Sequence, residues 1–80
     1  MESPVDVLSN FEANAKWLRK NYDKLKKKFN NEWVAVLDEA ILDHDRDLER
    51  LVKRLKTQHH KVYNQIAVEY VTTEEVDLIL

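Results

Sequence analysis

Apolar residues recur at helical spacing in the first third of the chain. Between Ser9 and Phe29 they alternate at intervals of four and three residues, which aligns their side chains along one side of an α-helix. We therefore predict an amphipathic helix from Ser9 to Phe29 and expect its apolar stripe to face the core. The stripe consists of Phe11, Ala15, Leu18, Tyr22, Leu25 and Phe29.

Two patterns compete for the start of this helix. Ser9 and Glu12 have the spacing of a capping box, in which each side chain accepts a hydrogen bond from the other residue's backbone. Ser3–Pro4 is the alternative start, because proline suits the first helical position. Residues 1–8 are accordingly expected to be a flexible lead or a short helical extension.

The pattern changes after the first helix. Asn30–Asn31 should end the helix, because asparagine tolerates the left-handed backbone conformation. The short runs Trp33–Leu37 and Ala40–Leu42 flank Asp38–Glu39, so we predict an antiparallel hairpin. Its turn is unusual, because two-residue turns prefer Asn-Gly or Asp-Gly and this chain contains no glycine.

A second helix and further strands are predicted in the remainder. Asp45 is placed to cap the helix, and a continuation of the helix's apolar face would put a half-buried His59 at its end. Alternation from Gln65 to Val71 predicts a third strand, and Val76–Leu80 is either a fourth strand or a docked tail. The helix's apolar face consists of Leu48, Leu51, Val52 and Leu55.

This order of elements predicts an α+β fold. Two amphipathic helices and a small sheet can bury their apolar sides in a two-layer sandwich of order α-β-β-α-β, with a possible C-terminal fourth strand. The chain has 80 residues and no interior segment rich in proline, glycine or serine, so we expect a single domain over residues 1–80.

Composition narrows the function classes. The chain contains no cysteine, which excludes disulfides and zinc–thiolate sites. Its longest apolar run, Trp33–Leu37, is far shorter than the roughly 20 residues that span a bilayer. We find no basic-then-apolar leader, and we expect a cytoplasmic protein without a membrane partner.

The pattern resembles a family of short prokaryotic domains of unknown function, common in archaea, in which an aromatic-rich helix precedes a W-V-A-V strand. This chain departs from its relatives at Asn30–Asn31 and Asp38–Glu39, where they usually carry glycine. The resemblance implies a prokaryotic intracellular domain, without an activity or a functional residue. It is carried by Trp17-Leu18, Tyr22, Leu25, Lys27-Lys28-Phe29, Trp33-Val34-Ala35-Val36, Asp45–Leu55, Ile66–Val71 and Val76–Leu80.

The residues suited to acid–base chemistry are not grouped by their spacing. On a strand, His44 points away from the side that Asp43 and Asp45 share, so no Asp–His pair forms locally. Turn and capping roles account for Asp38 and Asp45. We therefore predict no enzymatic activity and no cofactor. The candidates considered are Asp38, Glu39, Asp43, His44, Asp45 and Asp47.

A metal site is not indicated either. His59 and His60 are consecutive, so they diverge on a helix and face opposite ways on a strand. A helical zinc pair instead needs histidines four positions apart.

Charge is segregated along the chain. Residues 16–28 carry seven lysines or arginines against Asp23, whereas residues 32–49 carry seven acids against Arg46. Such blocks steer partners in some proteins and serve solubility in others. The net charge of −2 conceals this contrast.

The basic block permits two interpretations. On a helical wheel its lysines lie opposite the apolar stripe and beside Trp17, so the ring could stack a base while lysines contact phosphates. Alternatively, the lysines are simply solvated and Trp17 widens the core stripe. The acidic net charge disfavours nucleic acid. The lysines opposite the stripe are Lys16, Lys20, Lys24 and Lys27, and Lys28 lies near Trp17.

We predict a protein-interaction or regulatory module, with nucleic-acid binding as the alternative. The partner is an unidentified protein or a second copy in a homodimer. The apolar segment Val76–Leu80 needs burial, either in its own sheet or against a partner. The predicted interaction surface comprises Trp17, Lys20, Lys24, Lys27, Lys28, Val76, Leu78 and Leu80.

Overall fold

The computed structural model describes residues 4–73 and has α+β architecture. The predicted order α-β-β-α-β is confirmed, with the first helix in two parts. The predicted strand or tail Val76–Leu80 lies outside the described residues. The elements are α1 (Pro4–Lys20), α2 (Tyr22–Lys28), β1 (Glu32–Leu37), β2 (Ala40–Asp45), α3 (Leu48–Gln58), a 3₁₀ turn (Tyr63–Gln65) and β3 (Ala67–Val71).

The first helix begins at Pro4 rather than at Ser9. Proline fits there because the first helical N–H groups have no partner within the helix, and its fixed φ is already helical. Ser9 and Glu12 are exposed residues inside α1, so the capping-box prediction is wrong and the proline start is confirmed.

The predicted single helix is interrupted at Asn21. The Asn21 side-chain amide donates to the Trp17 carbonyl at 2.8 Å, in competition with the backbone hydrogen bond to the same oxygen. Helical hydrogen bonds nevertheless continue across the break, from Asn21 N to Trp17 O and from Leu25 N to Asn21 O, each at 3.0 Å. The pattern of helical hydrogen bonds therefore runs from α1 into α2 without a gap.

Asn31 and the two residues of the hairpin turn adopt left-handed backbone conformations, although the chain contains no glycine. Asn31 has φ of 63°, which confirms the predicted helix stop, and α2 ends at Lys28. Asp38 and Glu39 have φ of 52° and 57°, as a tight hairpin turn with both central residues at positive φ requires. The predicted hairpin is confirmed, with a turn that costs conformational energy in non-glycine residues.

The sheet has three antiparallel strands in the order β2-β1-β3. Trp33 of β1 pairs with Asp45 of β2 and with Tyr70 of β3. The β1–β2 register shifts between Ala35 and Val36, which makes Leu42 the extra residue of a β-bulge.

Helices cover both faces of this sheet, so the fold has three layers rather than the predicted two. Val34 and Val36 belong to a core cluster with Leu18 of α1 and Leu25 of α2. Ala35 faces the other way, into a cluster with α3. The α3 cluster is built on the fully buried Leu51 and Leu55, which confirms the predicted apolar face of α3.

The buried side of α1 is rotated relative to the predicted stripe. Phe11 was expected in the core but is 39% exposed, whereas Asn14 is 3% exposed. The Asn14 amide donates to the Gln65 carbonyl at 2.9 Å, and Asn14 Oδ1 accepts from Glu39 N at 3.3 Å. Asn10 adds a 2.9 Å hydrogen bond to Gln65 Oε1. A buried asparagine is tolerated here because its polar atoms are paired.

The N-cap of α3 lies two residues later than predicted. Asp47, not Asp45, is the N-cap, and its carboxylate accepts from Glu49 N and Arg50 N at 2.9 and 3.4 Å. Asp45 supports the cap by accepting from Asp47 N at 2.8 Å. The other end agrees with the prediction, because a half-buried His59 terminates α3.

Candidate functional site

A strongly basic surface lies on α1 and α2, on the side opposite their core residues. Its lysines are all exposed, and they follow one another at helical spacing from α1 across Asn21 into α2. Like charges at these spacings repel one another. We call this surface the lysine face; it consists of Lys16, Lys20, Lys24, Lys27 and Lys28.

Trp17 does not stand free beside these lysines. Its side chain is half-buried and packs against the core cluster that contains Leu18 and Val34. The packing supports the interpretation that Trp17 widens the core stripe. A ring held in this way offers less of its face to a nucleic-acid base than the stacking model requires.

Some basic residues of α2 already have partners. Lys26 forms a 3.1 Å ion pair with Asp23 and lies 5.3 Å from the Tyr22 ring centre. Lys28 lies 5.7 Å from the Phe29 ring centre. Exposed contacts of this kind contribute little to stability, so these side chains stay available to a stronger partner.

The acids of β2 are organised around Arg54 of α3. The Arg54 guanidinium donates to Asp43 at 2.9 and 3.1 Å, to Asp45 at 2.7 Å, and to the His44 carbonyl at 3.0 Å. The β-bulge contributes to this arrangement, because the extra residue Leu42 determines which face of the sheet each later residue of β2 points to. The group joins α3 to the edge of the sheet and gives both carboxylates a structural role.

Arg54 also perturbs the acids. Its hydrogen bonds lower the pKa of Asp43, while the backbone N–H of Asp47, followed by Arg54, lowers the pKa of Asp45. The two carboxylates in turn raise the pKa of Arg54. Each shift favours the charged form, as expected of an interaction that stabilises the fold.

Acidification should therefore weaken the fold through this group. Lowered carboxylate pKa values contribute stability that is present above the ordinary aspartate value of 3.8 and is lost as pH falls through the folded-state pKa. We expect Arg54→Met to be less stable than wild type at pH 7 and to show a flatter decline between about pH 5 and pH 3. Urea unfolding at a series of pH values measures both quantities.

Arg50→Met is the matched control. Arg50 also lies on α3, but its side chain is 76% exposed and approaches Asp47 only to 3.8 Å. Its charge is the smallest of the contributions that lower the pKa of Asp45, so its removal should change the pH profile much less than Arg54→Met does. Identical pH profiles for Arg54→Met and wild type would contradict the assigned role of Arg54.

The remaining acid–base candidates occupy separate places. His44 Nδ1 lies 2.9 Å from Glu32 Oε1, and its ring packs against Phe29 with the centres 4.7 Å apart. Asp38 and Glu39 form the exposed hairpin turn. His44 therefore points away from Asp43 and Asp45, as the strand pattern predicted.

The structure does not group the histidines into a metal site. Within residues 4–73, no cluster of three or more His, Asp or Glu side chains is arranged to hold a metal ion. His59 ends α3, and His60 follows it in an exposed turn.

A second surface is apolar and lies on one flank of α1. Leu8 is 59% exposed and Phe11 is 39% exposed. A shallow groove of about 510 Å³ runs past Phe11 and Ala15 and is bordered by charged side chains. The bordering residues are Glu12, Lys16 and Arg19.

The tail residues of the predicted interaction surface, Val76, Leu78 and Leu80, lie outside the described residues. Among those described, no helix is sufficiently long and apolar to traverse a bilayer.

Two structural features escaped the sequence analysis. Asn14 lies one position before the predicted stripe residue Ala15, and an asparagine beside a core stripe was the available signal. The role of Arg54 had no local signal, because its acid partners precede it by nine and eleven positions on another element.

Comparison with known proteins identifies a family without an assigned activity. No curated protein and no solved structure matches the chain. The model of DUF5678, described as a family of unknown function, matches residues 24–74. This segment contains the whole sheet, α3 and most of α2. Because the match covers more than half of the chain, the protein belongs to the DUF5678 family of unknown function.

Proposed function

We propose that this protein is a protein-interaction module whose lysine face binds an acidic segment of a partner protein. The observation that carries the proposal is the row of exposed lysines on α1 and α2 in a chain of net charge −2. A charge concentration that opposes the protein's overall sign selects its partner by electrostatic complementarity. As a regulator, the protein would act by occupying that acidic segment.

The packing of Trp17 against the core favours a polypeptide partner over nucleic acid. The ring packs on the core cluster, so the lysine face offers dispersed positive charge without a free aromatic platform at that position. Single-stranded nucleic acid is typically bound by both features together. A flexible acidic segment requires only the charge and can adapt to lysines spread over two helices.

Charge reversal tests the proposal. The triple variant Lys20→Glu, Lys24→Glu and Lys27→Glu should bind polyglutamate at least about tenfold more weakly than wild type, because each reversed charge replaces attraction by repulsion. Fluorescence anisotropy with labelled polyglutamate at about 50 and 200 mM salt measures this, and wild-type affinity should fall with salt.

Three other basic residues provide the matched control. Arg46→Glu, Lys53→Glu and Lys61→Glu change the net charge equally at exposed positions away from α1 and α2. This variant should retain most of the wild-type affinity. Equal losses in the two triple variants would show that only net charge matters and would contradict a dedicated surface.

The same measurement separates the second candidate. The exposed lysines also suit phosphates, so a single-stranded RNA of matched charge is titrated in parallel. Tighter binding of RNA than of polyglutamate, with a steep salt dependence that the lysine-face variant loses, would favour nucleic-acid binding and overturn the protein-partner proposal.

A further inference from the structure

The apolar stripe of α1 extends beyond the core. Leu8, Phe11 and Ala15 recur at intervals of three and four residues, so their side chains lie one above another on the same flank of the helix. Ala15 packs against the core cluster that contains Leu18, whereas Leu8 is 59% exposed and Phe11 is 39% exposed. The first part of the flank therefore presents apolar side chains at the surface.

Positive charge lies directly beside this flank. At about 100° per residue, Arg19 and then Lys16 follow Ala15 around the helix on the side away from Leu18. Both border the groove of about 510 Å³ that runs past Phe11 and Ala15. Because Lys16 also belongs to the lysine face, the groove and the lysine face form one continuous surface, which is apolar toward the core and basic away from it.

The two cations at the groove are not neutralised by a neighbouring acid. Within residues 4–73, Lys16 and Arg19 form no ion pair, whereas Lys26 pairs with Asp23 at 3.1 Å. Glu12 is the one acid among the residues that border the groove, and it lies toward the N-terminal end of α1. The C-terminal part of the groove therefore retains positive charge that an acidic partner can complement.

We propose that this surface binds an amphipathic helix of the partner protein, whose apolar residues enter the groove and whose acidic residues contact Lys16 and Arg19. The inference rests on the proposed binding of an acidic segment by the lysine face, and it adds the conformation and the apolar anchors of that segment. Side chains spaced at three and four residues form a ridge against which the matching ridge of another helix packs. A flexible segment can adopt this helix on binding.

The apolar and acidic parts of the partner contribute in different ways. Exposed ion pairs contribute little and are screened by salt, so acidic residues alone would bind weakly. Burial of apolar side chains against Leu8 and Phe11 adds a contribution that salt does not screen. Glu12 repels acids near these two residues, so the acids of the partner should lie toward Arg19.

Three helical peptides of equal length separate these contributions. The first has leucine at positions i, i+3, i+4 and i+7 with glutamates between them. The second has alanine in place of each leucine, and the third has glutamine in place of each glutamate, changes that retain good helix formers. Measured by fluorescence anisotropy at about 150 mM salt, the full-length protein should bind the first peptide at least about tenfold more tightly than either of the others.

The double variant Leu8→Gln and Phe11→Gln should lose the preference for leucine over alanine. Neither residue belongs to a core cluster, so the fold should be retained, which circular dichroism checks. Tyr70→Gln is the matched control, because Tyr70 is 38% exposed and lies in β3, away from the groove. This control should keep the preference, and an equal loss in both variants would contradict a specific groove.

The outcomes distinguish this inference from the function on which it rests. Equal affinities for the first and second peptides, both falling with salt, would leave the acidic-segment function intact and overturn the role of the groove. Binding of none of the peptides would overturn both proposals. Binding of the third peptide as tightly as the first would show recognition of apolar residues without acids, and it would overturn the acidic character of the helix.

Photocrosslinking identifies the occupant of the groove. Replacing Phe11 by the photoreactive p-benzoylphenylalanine keeps an aromatic side chain at this position, and irradiation with the labelled first peptide should mainly join one chain to one peptide. Products that link two copies of the protein would assign the groove to a second copy. Crosslinks within one chain, in place of the peptide product, would assign it to the chain itself, and either result would overturn the proposal.

Discussion

Leu18→Ala and Leu55→Ala should each lower the free energy of unfolding by about 2–5 kcal/mol. Both side chains are fully buried. Leu18 packs between α1 and one face of the sheet, and Leu55 packs between α3 and the other face. Each truncation removes apolar contacts and leaves a cavity that the small core cannot easily close. Equilibrium urea unfolding measures both losses, which amount to much of the stability of a domain of this size.

Leu8→Ala is the control for the same chemical change at an exposed site. The Leu8 side chain is 59% exposed, so we expect a change within about 0.5 kcal/mol. A loss below about 1 kcal/mol for Leu55→Ala, beside a large loss for Leu18→Ala, would contradict a core on both sides of the sheet.

Asn14→Ala should destabilise the protein by about 1–3 kcal/mol through unpaired polar groups rather than lost apolar packing. The substitution removes the partner of the Gln65 carbonyl and of Glu39 N, in a place where Asn14 is 3% exposed. Thermal and urea unfolding, with amide exchange at Glu39, would show both the loss and its location.

Asn10→Ala is the matched comparison for Asn14. Asn10 is exposed and makes one hydrogen bond, to the Gln65 side chain, so we expect a loss of about 0.5–1.5 kcal/mol. If Asn14→Ala were no more costly than Asn10→Ala, the two hydrogen bonds of Asn14 would not be holding α1 to the hairpin turn and to the 3₁₀ turn.

The elements predicted correctly are those specified by local pattern. The hairpin, the α3 face and the third strand follow from spacing and alternation within ten or so residues. The third strand begins at Ala67 rather than at the predicted Gln65, which lies in the 3₁₀ turn. The end of the first helix likewise followed from the residue type of Asn31, which adopts the left-handed conformation it was expected to adopt.

The third layer was missed although the sequence contained a sign of it. Trp33–Leu37 is apolar at every position, a pattern typical of strands buried on both faces. Alternation would instead have indicated a strand with one solvated face. The interpretation as a two-layer sandwich did not use this distinction.

Other differences arise from contacts between distant residues. The burial of Asn14 in place of Phe11 depends on Gln65, which lies 51 positions away. The cap of α3 was misplaced because Asp45 and Asp47 are both suitable residue types, and only the strand end decides between them. The exposure of the lysine face could be predicted from the sequence. The role of Trp17 could not, because both interpretations fitted its spacing, and only its packing on the core cluster supports the one in which it widens the core stripe.

The central position of β1 also bears on how the chain folds. Its pairing with β2 needs only a tight turn, whereas pairing with β3 requires the long loop between Trp33 and Tyr70 to close. The hairpin is therefore entropically inexpensive to form, and we expect it to form before β3 docks, with α3 packing across β1 within that loop. We expect the slow step of folding to be the closure of this loop, rather than the formation of any single helix or strand.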